Sequence, residues 1–401
     1  MSLFERRSEI LISCANRLSP YLKEEVESLG YNVLRFLPTA VIVEGTLKDC
    51  IKLNMFLKTA HKVAFLLKRF KCKNADELYQ NVIEVDWENI FPVRSYFSIV
   101  SAVSNLTITD TRFPSLKCKD AIADRFMNKF KERPDSGPDK HKIVLFLHWE
   151  GLEAAVFIDT SGETIARHGY RKLPGKAPLQ ESLACGILYA SKWDKKSLFI
   201  NPMCGSGTLV IEAALMALNK PPGIFRSNFC FMHLNDYQDA YWEEVRKEAK
   251  EVSLRKTDAR FIATDIEKRA IDAARKNAAT AGVDHMIEFK VCDFRDTPVP
   301  EGEGIVLLNP EYGERLGEVE ELEVIYKEIG DFFKKNCKGK TGYVFTGNLD
   351  LAKKIGLKTS RRVEFYNGKF DCRLLEFELY EGTKRGSSNK EIRNSNNISN
   401  E

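Results

Sequence analysis

Alternating runs of apolar and polar residues divide the first 70 residues into short strands and two amphipathic helices. The predicted strands cover residues 9–14, 31–37, 40–44 and 62–70, and the predicted helices cover residues 20–29 and 47–57. In chain order these elements are a strand, a helix, two strands, a helix and a strand. That order is typical of a ferredoxin-like fold, in which helices cover one face of a small sheet.

A strongly basic helix dominates the segment that follows. It is predicted over residues 116–131, after a helix over 74–87 and a strand over 96–108, and before strands over 142–149 and 153–159. Its apolar members recur every four residues, so one face belongs to a core and much of the rest is charged. Such a surface either contacts phosphate groups or is merely solvated, and charge alone leaves both interpretations open.

Beyond residue 175 the pattern changes to longer alternation of apolar strands and helices. Strands are predicted over residues 197–200, 261–264, 287–291, 304–308 and 341–345. Helical patterns between most of them predict an α/β domain with a doubly wound parallel sheet. An aromatic-rich insertion over residues 220–258 follows the first helix, and insertions of this kind often frame an active site. Residues 382–401 contain almost no large apolar side chain, which predicts a disordered tail.

Composition limits the class of protein. A chain of 401 residues that is 43% hydrophobic favours two or three domains. Its 61 basic and 57 acidic residues, with a pI near 8.4, permit nucleic-acid binding without requiring it. Ten cysteines without a Cys-x-x-Cys pair indicate reduced thiols and no metal site. Since no signal-peptide or membrane-spanning pattern occurs, we expect a cytoplasmic protein.

The first candidate site is a glycine-rich turn between the first strand of the α/β domain and its helix. It reads Asn201-Pro202-Met203-Cys204-Gly205-Ser206-Gly207-Thr208. Glycines allow a tight turn and a close approach to a ligand, while the start of the helix offers free N–H groups. Val210 stands where a dinucleotide fingerprint needs its third glycine, and the chain has no Gly-Lys-Ser/Thr phosphate loop. Ligands that carry phosphate groups are therefore disfavoured.

Acidic residues follow the next two strands. Asp265 ends the second strand, where a carboxylate can accept hydrogen bonds from both hydroxyl groups of a ribose. Asp293 ends the third strand, where it can accept from an adenine amino group beside the ring of Phe294. Each carboxylate could instead be an ordinary helix cap, but their positions at adjacent strand ends favour a nucleoside site.

The fourth strand ends in Asn309-Pro310-Glu311-Tyr312. The amide oxygen of Asn309 and the carbonyl of Pro310 can accept two hydrogen bonds from one amino group, and Tyr312 can stack on the base that carries it. Accepting hydrogen bonds from both N–H groups raises electron density on the nitrogen and aims its lone pair at a methyl donor. This chemistry suits methylation of an exocyclic amino group on a base that has left its stack. A simple turn after a strand is the alternative interpretation.

At this point the sequence resembles the THUMP-domain methyltransferases that methylate guanine N2 in large-subunit (23S) ribosomal RNA, a group once described as adenine-specific DNA methylases. The resemblance covers nearly all of residues 5–381. Besides the turn and the Asn-Pro-x-Tyr motif, it includes residues 116–126, 159–163, 168–171, 177–181 and 211–214.

The resemblance implies a ferredoxin-like segment over residues 1–60, a THUMP RNA-binding domain over 61–170 and a class I (Rossmann-like) methyltransferase domain over 171–381. It implies S-adenosyl-L-methionine as the cofactor and catalytic roles for Asn309, Pro310, Glu311 and Tyr312. The cofactor site would consist of Pro178, Leu179, Asn201, Met203, Cys204, Gly205, Ser206, Gly207, Thr208, Asp265, Ile266, Asp293, Phe294 and Asn309. The residues expected to contact RNA are Lys117, Lys119, Arg125, Lys129 and Arg171.

Two residues depart from the family pattern. The family usually carries Asp where Asn201 stands, and that carboxylate is expected to meet the ammonium group of the cofactor, so we expect weaker cofactor binding here. Glu311 replaces the second proline of an Asn-Pro-Pro-Tyr motif. Its carboxylate could accept hydrogen bonds from the ring nitrogen and amino group of guanine, or it could be a tolerated loop residue.

These departures leave other functions open. The same chemistry could act on transfer RNA, and a non-catalytic RNA-binding factor for ribosome assembly could retain a degenerate site. DNA adenine methylation has no obvious use for a THUMP domain. Intact Gly205, Gly207, Asp265, Asn309 and Tyr312 favour an enzyme. The expected partner is RNA, either 23S rRNA or a ribosome assembly intermediate, with no metal and no membrane.

Overall fold

The computed structural model describes residues 2–105, 110, 112–175, 178–313 and 318–380, with the backbone alone at 318 and 319. The expected tail over 382–401 and the end of the strand predicted to reach residue 108 lie outside these residues. The chain forms two compact units. The first comprises Met1–Lys172, Leu179–Gly186 and Leu218–Lys256, and the second comprises Leu173–Pro178, Ile187–Ala217 and the chain from Thr257 on.

Each unit contains one sheet. The strands of the first unit are β1 (Ser8–Cys14), β2 (Val33–Leu37), β3 (Ala40–Gly45), β4 (Ala60–Lys71), β5 (Tyr96–Ser104), β6 (Asp135–Ser136), β7 (Ile143–Glu150) and β8 (Glu153–Asp159). Those of the second unit are β9 (Leu198–Pro202), β10 (Phe261–Asp265), β11 (Ile287–Val291), β12 (Gly304–Leu308), β13 (Thr341–Thr346), β14 (Arg361–Asn367) and β15 (Phe370–Glu378).

The α-helices alternate with these strands along the chain. They are α1 (Ser19–Ser28), α2 (Leu47–Phe56), α3 (Ala75–Ile83), α4 (Phe113–Phe130), α5 (Glu181–Ser191), α6 (Thr208–Ala217), α7 (Asp239–Val252), α8 (Lys268–Ala281), α9 (Glu318–Asn336) and α10 (Leu349–Lys354). Within the part of the chain that the structure describes, no helix is both long enough and apolar enough to cross a membrane.

The sheet of the first unit has the strand order β2-β3-β1-β4-β8-β7-β5-β6. Its first part follows the predicted order of strand, helix, two strands, helix and strand, which confirms the ferredoxin-like fold. β4 pairs antiparallel with β1 on one side and with β8 on the other. The ferredoxin-like part and the strands that follow it therefore share one continuous sheet.

Two helices of the first unit differ at their ends from the prediction. α3 ends at Ile83, because Trp87 begins a separate 3-10 turn and donates its indole N–H to the carbonyl of Val82. The basic helix α4 begins earlier than predicted, at Phe113, with Pro114 in its first turn. Proline is tolerated there because the first N–H groups of a helix have no partner within the helix.

The aromatic-rich insertion belongs to the first unit, which contains Leu218–Lys256. Its helix α7 is tied to α2 by a 2.7 Å ion pair between Lys52 and Glu248. The ring of Tyr241 lies 5.3 Å from that of Phe4. The buried aromatic residues of this insertion supply core for the first unit. That the insertion also frames an active site stays a prediction.

The sheet of the second unit has the strand order β11-β10-β9-β12-β13-β15-β14. β9 to β13 are parallel, as predicted, and β14 and β15 add an antiparallel hairpin that the prediction did not contain. Chain order reverses direction at β9, which pairs with β10 on one side and β12 on the other. Ligands bind outside the carboxyl ends of parallel strands at such a point. The doubly wound class I methyltransferase fold is confirmed.

Candidate active site

The turn after β9 requires unusual backbone conformations. Met203, Gly205 and Gly207 all have positive φ, at 54°, 56° and 84°. An added Cβ on Gly207 would lie 2.9 Å from that of Ala274 in α8, so this glycine permits close packing of α8. A Cβ on Gly205 would meet no atom within 4 Å. Gly205 therefore borders open space, as a backbone that approaches a ligand should.

Asp265, at the carboxyl end of β10, is held by backbone groups on both sides. One carboxylate oxygen accepts from the N–H of Gly205 at 2.9 Å, and the other accepts from the N–H of Glu267 at 2.9 Å. The carboxylate thus connects the glycine-rich turn to the end of β10. Because each oxygen can accept more than one hydrogen bond, Asp265 keeps acceptor capacity for a ligand. Ile266 follows it and is 68% exposed.

Asn277 supports the same turn, and no sequence motif predicted this role. Its side-chain nitrogen donates to the carbonyl of Ser206 at 3.1 Å and to that of Leu173 at 2.9 Å, while its oxygen accepts from the N–H of Leu173 at 3.0 Å. This fully buried amide fastens residues distant in the chain to one point of α8. No local pattern reveals such a contact.

Asn201 lies fully buried in β9, the central strand. Its side-chain nitrogen donates to the carbonyl of Leu307 in β12 at 2.8 Å. Its side-chain oxygen, also buried, has no hydrogen-bond partner among the described residues. Buried polar atoms are nearly always paired, so this oxygen is available to a donor from outside the described residues, such as a ligand.

Asp293 is engaged more fully than the sequence suggested. Arg295 donates to its two carboxylate oxygens at 2.8 and 2.7 Å and also forms a 2.8 Å ion pair with Glu328 of α9. The hydrogen bonds from Arg295 hold the pKa of the Asp293 carboxyl below its ordinary value. The carboxylate therefore stays ionised with its plane fixed, and Phe294 beside it is buried.

The Asn-Pro-Glu-Tyr segment follows β12 directly. The amide oxygen of Asn309 is buried and has no hydrogen-bond partner among the described residues. Pro310 is buried, Glu311 is exposed and Tyr312 is partly exposed. The hydroxyl of Tyr326, on α9, donates to the backbone carbonyl of Glu311 at 3.3 Å. The structure thus gathers the ends of β9, β10, β11 and β12, with Asn201, Asp265, Asp293 and Asn309, at one edge of the sheet.

The remaining residues of the expected cofactor site differ in exposure. Ser206 and Thr208 are buried in the turn and the start of α6, and burial raises the pKa of the Cys204 thiol well above its ordinary value. A thiol with that pKa is a packing group and not a nucleophile at neutral pH. Pro178 is exposed. Leu179 is buried and belongs to the first unit.

Three of the five residues expected to contact RNA form ion pairs of 3.3 Å or less inside the first unit. Arg125 and Lys129 donate to Glu88 at 2.7 and 2.6 Å. Those bonds, with that from Arg125 as the largest cause, lower the pKa of Glu88 to about 2. Arg171 is 12% exposed and lies 3.3 Å from Glu181. These three cations therefore stabilise the first unit.

Lys117 and Lys119 instead line an open cavity of about 660 Å³ on the first unit. Lys117 lies 3.5 Å from Asp76, a long contact with a mostly exposed carboxylate. The other charged or aromatic side chains that line the cavity are Tyr79, Asp120, Asp124, Arg133 and Asp135. Three cations and three carboxylates give this cavity no net charge, so its charge alone does not favour an anionic ligand.

The family described as RMKL-like, methyltransferase domain, matches residues 168–376, which is more than half of the chain. The chain belongs to this family. Ahead of the RMKL-like domain, the THUMP domain family matches residues 72–159 and the RlmL ferredoxin-like domain family matches residues 9–64.

Curated relatives of this RMKL-like chain include the ribosomal RNA large subunit methyltransferase K/L of Psychromonas ingrahamii. That protein is 35% identical over 373 residues, which cover 92% of this chain and 50% of the relative. The protein of the same name from Shewanella amazonensis is 35% identical over 363 residues, which cover 90% of this chain and 51% of the relative. The chain thus spans about half the length of the curated relatives it matches.

Solved structures resemble the chain over most of its length. SMU.472, crystallised as a complex with SAH, has a TM-score of 0.84 and 27% identity, covering 94% of this chain and 100% of that one. A predicted N6-adenine-specific DNA methylase from Listeria monocytogenes str. 4b F2365 has a TM-score of 0.83 and 27% identity, covering 94% and 97%. These likenesses extend beyond the RMKL-like domain to the first unit.

Proposed function

We propose that this chain transfers a methyl group from S-adenosylmethionine to the exocyclic N2 amino group of a guanine in large-subunit ribosomal RNA. The observation that carries the proposal is the buried amide oxygen of Asn309 at the carboxyl end of β12, which has no hydrogen-bond partner in the described part of the chain. A buried acceptor without a donor, followed by Pro310 and Tyr312, is what an incoming amino group requires. The names of the relatives support ribosomal RNA as the substrate.

The residues present fit S-adenosylmethionine. The side-chain oxygen of Asn201, which meets no donor among the residues described, can accept from an ammonium group, and Asp265 retains acceptor capacity for ribose hydroxyls. The ionised Asp293 can accept from an adenine amino group, and Ile266 offers an exposed apolar surface. Open space beside Gly205 leaves room for the ligand. The complex of SMU.472 with SAH supports the same ligand class.

When bound, S-adenosylmethionine supplies an electrophilic methyl group. The chain supplies positioning and electrostatic stabilisation. The Asn309 oxygen and the Pro310 carbonyl accept hydrogen bonds from both N–H groups of the amino group, and so they fix the direction of its lone pair. The ring of Tyr312 stacks on the base once it has left its helix. Glu311, exposed beside them, can accept from the Watson–Crick edge of a guanine.

We assign recognition of the RNA to the first unit, with contacts at Lys117 and Lys119. The match to the THUMP domain family over residues 72–159 supports this assignment. Arg133 and Tyr79 of the same cavity join them, since a cation and a ring can meet a phosphate and a base. A ribosomal RNA substrate would place the reaction in the cytoplasm.

The deciding experiment combines calorimetric titration of S-adenosylmethionine with nucleoside mass spectrometry on unmodified 23S rRNA transcripts. We expect micromolar binding that Asp265→Ala abolishes, and N2-methylguanosine as the product. Asn309→Ala should lower kcat on the order of a hundredfold. Absence of binding, with or without RNA, would identify a non-catalytic RNA-binding factor instead. Methylation of transfer RNA transcripts but not of 23S rRNA would move the substrate to transfer RNA.

A further inference from the structure

Tyr312 is fixed by contacts with residues that follow it in the chain. Its hydroxyl accepts a hydrogen bond from the side-chain nitrogen of Asn367 at 2.8 Å. Its backbone carbonyl accepts from the side-chain nitrogen of Asn348 at 3.3 Å. Its ring meets that of Phe370 edge-on, with centroids 5.8 Å apart and planes at 69°. The tip, the backbone and one side of the residue are thus all held.

Gly347 closes the space beside the ring. An added Cβ on Gly347 would lie 3.1 and 3.2 Å from Cδ2 and Cε2 of Tyr312 and 3.3 Å from the sulfur of Cys372. These distances are tighter than ordinary contacts, so a methyl group there would displace the ring. Gly347 does not have a positive φ, so backbone conformation does not require a glycine at this position. The space that the Tyr312 ring occupies does require one.

The backbone beneath Tyr312 is also anchored. The buried Tyr326 donates to the carbonyl of Glu311, and its hydroxyl lies 2.7 Å from that of Thr346 at the end of β13. Asn367 is the last residue of β14 and lies just before the two-residue turn into β15. The antiparallel hairpin thus reaches back to the segment that follows β12.

We propose that Asn367 and Gly347 are positioning residues that hold the Tyr312 ring in one orientation before any base arrives. The consequence for catalysis rests on the proposed function, in which Tyr312 stacks on the target guanine. A ring already ordered loses no rotational freedom when the base binds, and it sets the plane in which the amino group meets Asn309. The hairpin of β14 and β15 is therefore part of the base site.

The orientation of the ring can be measured without substrate. With 3-fluorotyrosine at position 312, a fixed ring places the fluorine in one of two unequal environments, which gives one dominant ¹⁹F resonance. We expect Asn367→Ala to average the two environments and Gly347→Ala to shift the resonance. Tyr366→Phe, which removes a hydroxyl from the neighbouring position in β14, should leave it unchanged. A spectrum that Asn367→Ala does not alter would overturn the proposal.

Kinetics test the consequence. With 23S rRNA transcripts, Asn367→Ala should lower kcat roughly fivefold, the effect of one lost hydrogen bond, and leave KM for RNA and the stoichiometry of S-adenosylmethionine binding unchanged. In a Tyr312→Phe background, Asn367→Ala should not lower kcat further. If Asn367→Ala acted through a general loss of stability, its effect on kcat would add to that of Tyr312→Phe. An additive loss contradicts the positioning role. If the wild-type protein methylates nothing, the proposed function fails, and the ¹⁹F spectra still decide the orientation of the ring.

Discussion

Asn201 combines two hydrogen-bonding roles in one buried amide. Its nitrogen supports the contact between β9 and β12 through the carbonyl of Leu307, and its oxygen is left open. An aspartate at this position, which the resemblance implies for the family, would have no donor for that carbonyl. Compared with an aspartate, Asn201 attracts an ammonium group less strongly because it carries no charge. In return, its side-chain N–H links the two central strands β9 and β12.

Asn201→Asp should lower the free energy of unfolding by about 1–3 kcal/mol at pH 8, because the Leu307 carbonyl loses its donor and a charge is buried. Burial raises the folded-state pKa of the new carboxyl above the value of about 3.9 in the unfolded chain. The loss should therefore grow as pH rises above 4 and disappear as pH falls below it. Urea unfolding from pH 4 to 8 measures this.

Asn219→Asp is the matched control for that series. Asn219 is exposed and donates to the carbonyl of Val252 at 3.1 Å, so the same change removes a similar bond without burying a charge. We expect a loss below 1 kcal/mol that does not depend on pH above 5. Equal losses in the two variants would contradict a buried role for Asn201.

Glu311 is the second residue whose identity matters. If its carboxylate accepts a hydrogen bond from the ring N–H of guanine, Glu311→Pro should lower kcat/KM about tenfold or more and weaken the preference for guanine over adenine. The assay is mass spectrometry of methylated nucleosides from 23S rRNA transcripts with either base at the target. Glu320→Gln, at an exposed position of α9, is the control. An unchanged rate and base preference in Glu311→Pro would reduce Glu311 to a loop residue.

At the scale of elements, ion pairs hold the basic helix α4 to the 3-10 turn that follows α3. Glu88, 7% exposed, lies in the 3-10 turn after α3 and accepts from Arg125 and Lys129 of α4. Much of the positive charge that the sequence displays on this helix is therefore neutralised within the first unit. RNA recognition through α4 depends on the cations that Glu88 does not reach.

Glu88→Gln should remove about 3 kcal/mol of stability from the first unit at neutral pH, since the pKa of Glu88 falls from 4.5 to about 2 on folding. For a carboxyl with a lowered folded-state pKa, the stabilisation is complete above 4.5 and is lost as pH falls toward 2. The difference between wild type and variant should follow that course in denaturant unfolding. Glu84→Gln, whose side chain is 69% exposed, should change stability much less, because a solvent-exposed ion pair contributes little.

Apolar periodicity predicted the strands of both sheets as far as β13, apart from the two-residue β6, because each predicted strand is a local run whose pattern matches its burial. The hairpin of β14 and β15 was missed, although Asn367-Gly368 between two alternating runs is a usual hairpin signal. The ends of β9, β10, β11 and β12 carried the candidate site for the same local reason. Asn277, Arg295 and Asn367 could not be predicted, because their partners are set by tertiary packing.

At the scale of the whole molecule, neither unit is a continuous piece of chain. The first unit contains Leu218–Lys256, and this segment interrupts the sequence of the second unit between Ala217 and Thr257. The two ends of this segment meet, since the N–H of Leu254 donates to the carbonyl of Leu218 at 2.7 Å. Domain boundaries drawn at single positions along the sequence therefore do not separate the two cores.

This arrangement predicts the behaviour of a fragment. Residues 173–401 expressed alone should aggregate, because the insertion would expose Phe229, Phe231 and Trp242, which are buried in the first unit. Replacing residues 218–256 with a short Gly-Ser linker should give a soluble, cooperatively unfolding fragment, since the ends of the insertion lie close together. Sedimentation and thermal unfolding compare the two. A monomeric, folded fragment with the insertion intact would contradict the assignment of that segment.

The inserted segment also sets an order of events during translation. A ribosome extends the chain from its amino terminus, so the first unit cannot close until residue 256 has emerged from the exit tunnel. By then β9 and α6 are already outside, and neither flanking strand of β9 has completed its pairing, since β10 and β12 are synthesised later. Apolar strands without partners are prone to wrong association. Slow codons or a chaperone acting near residues 198–256 would therefore affect the yield of native protein more than the same intervention elsewhere.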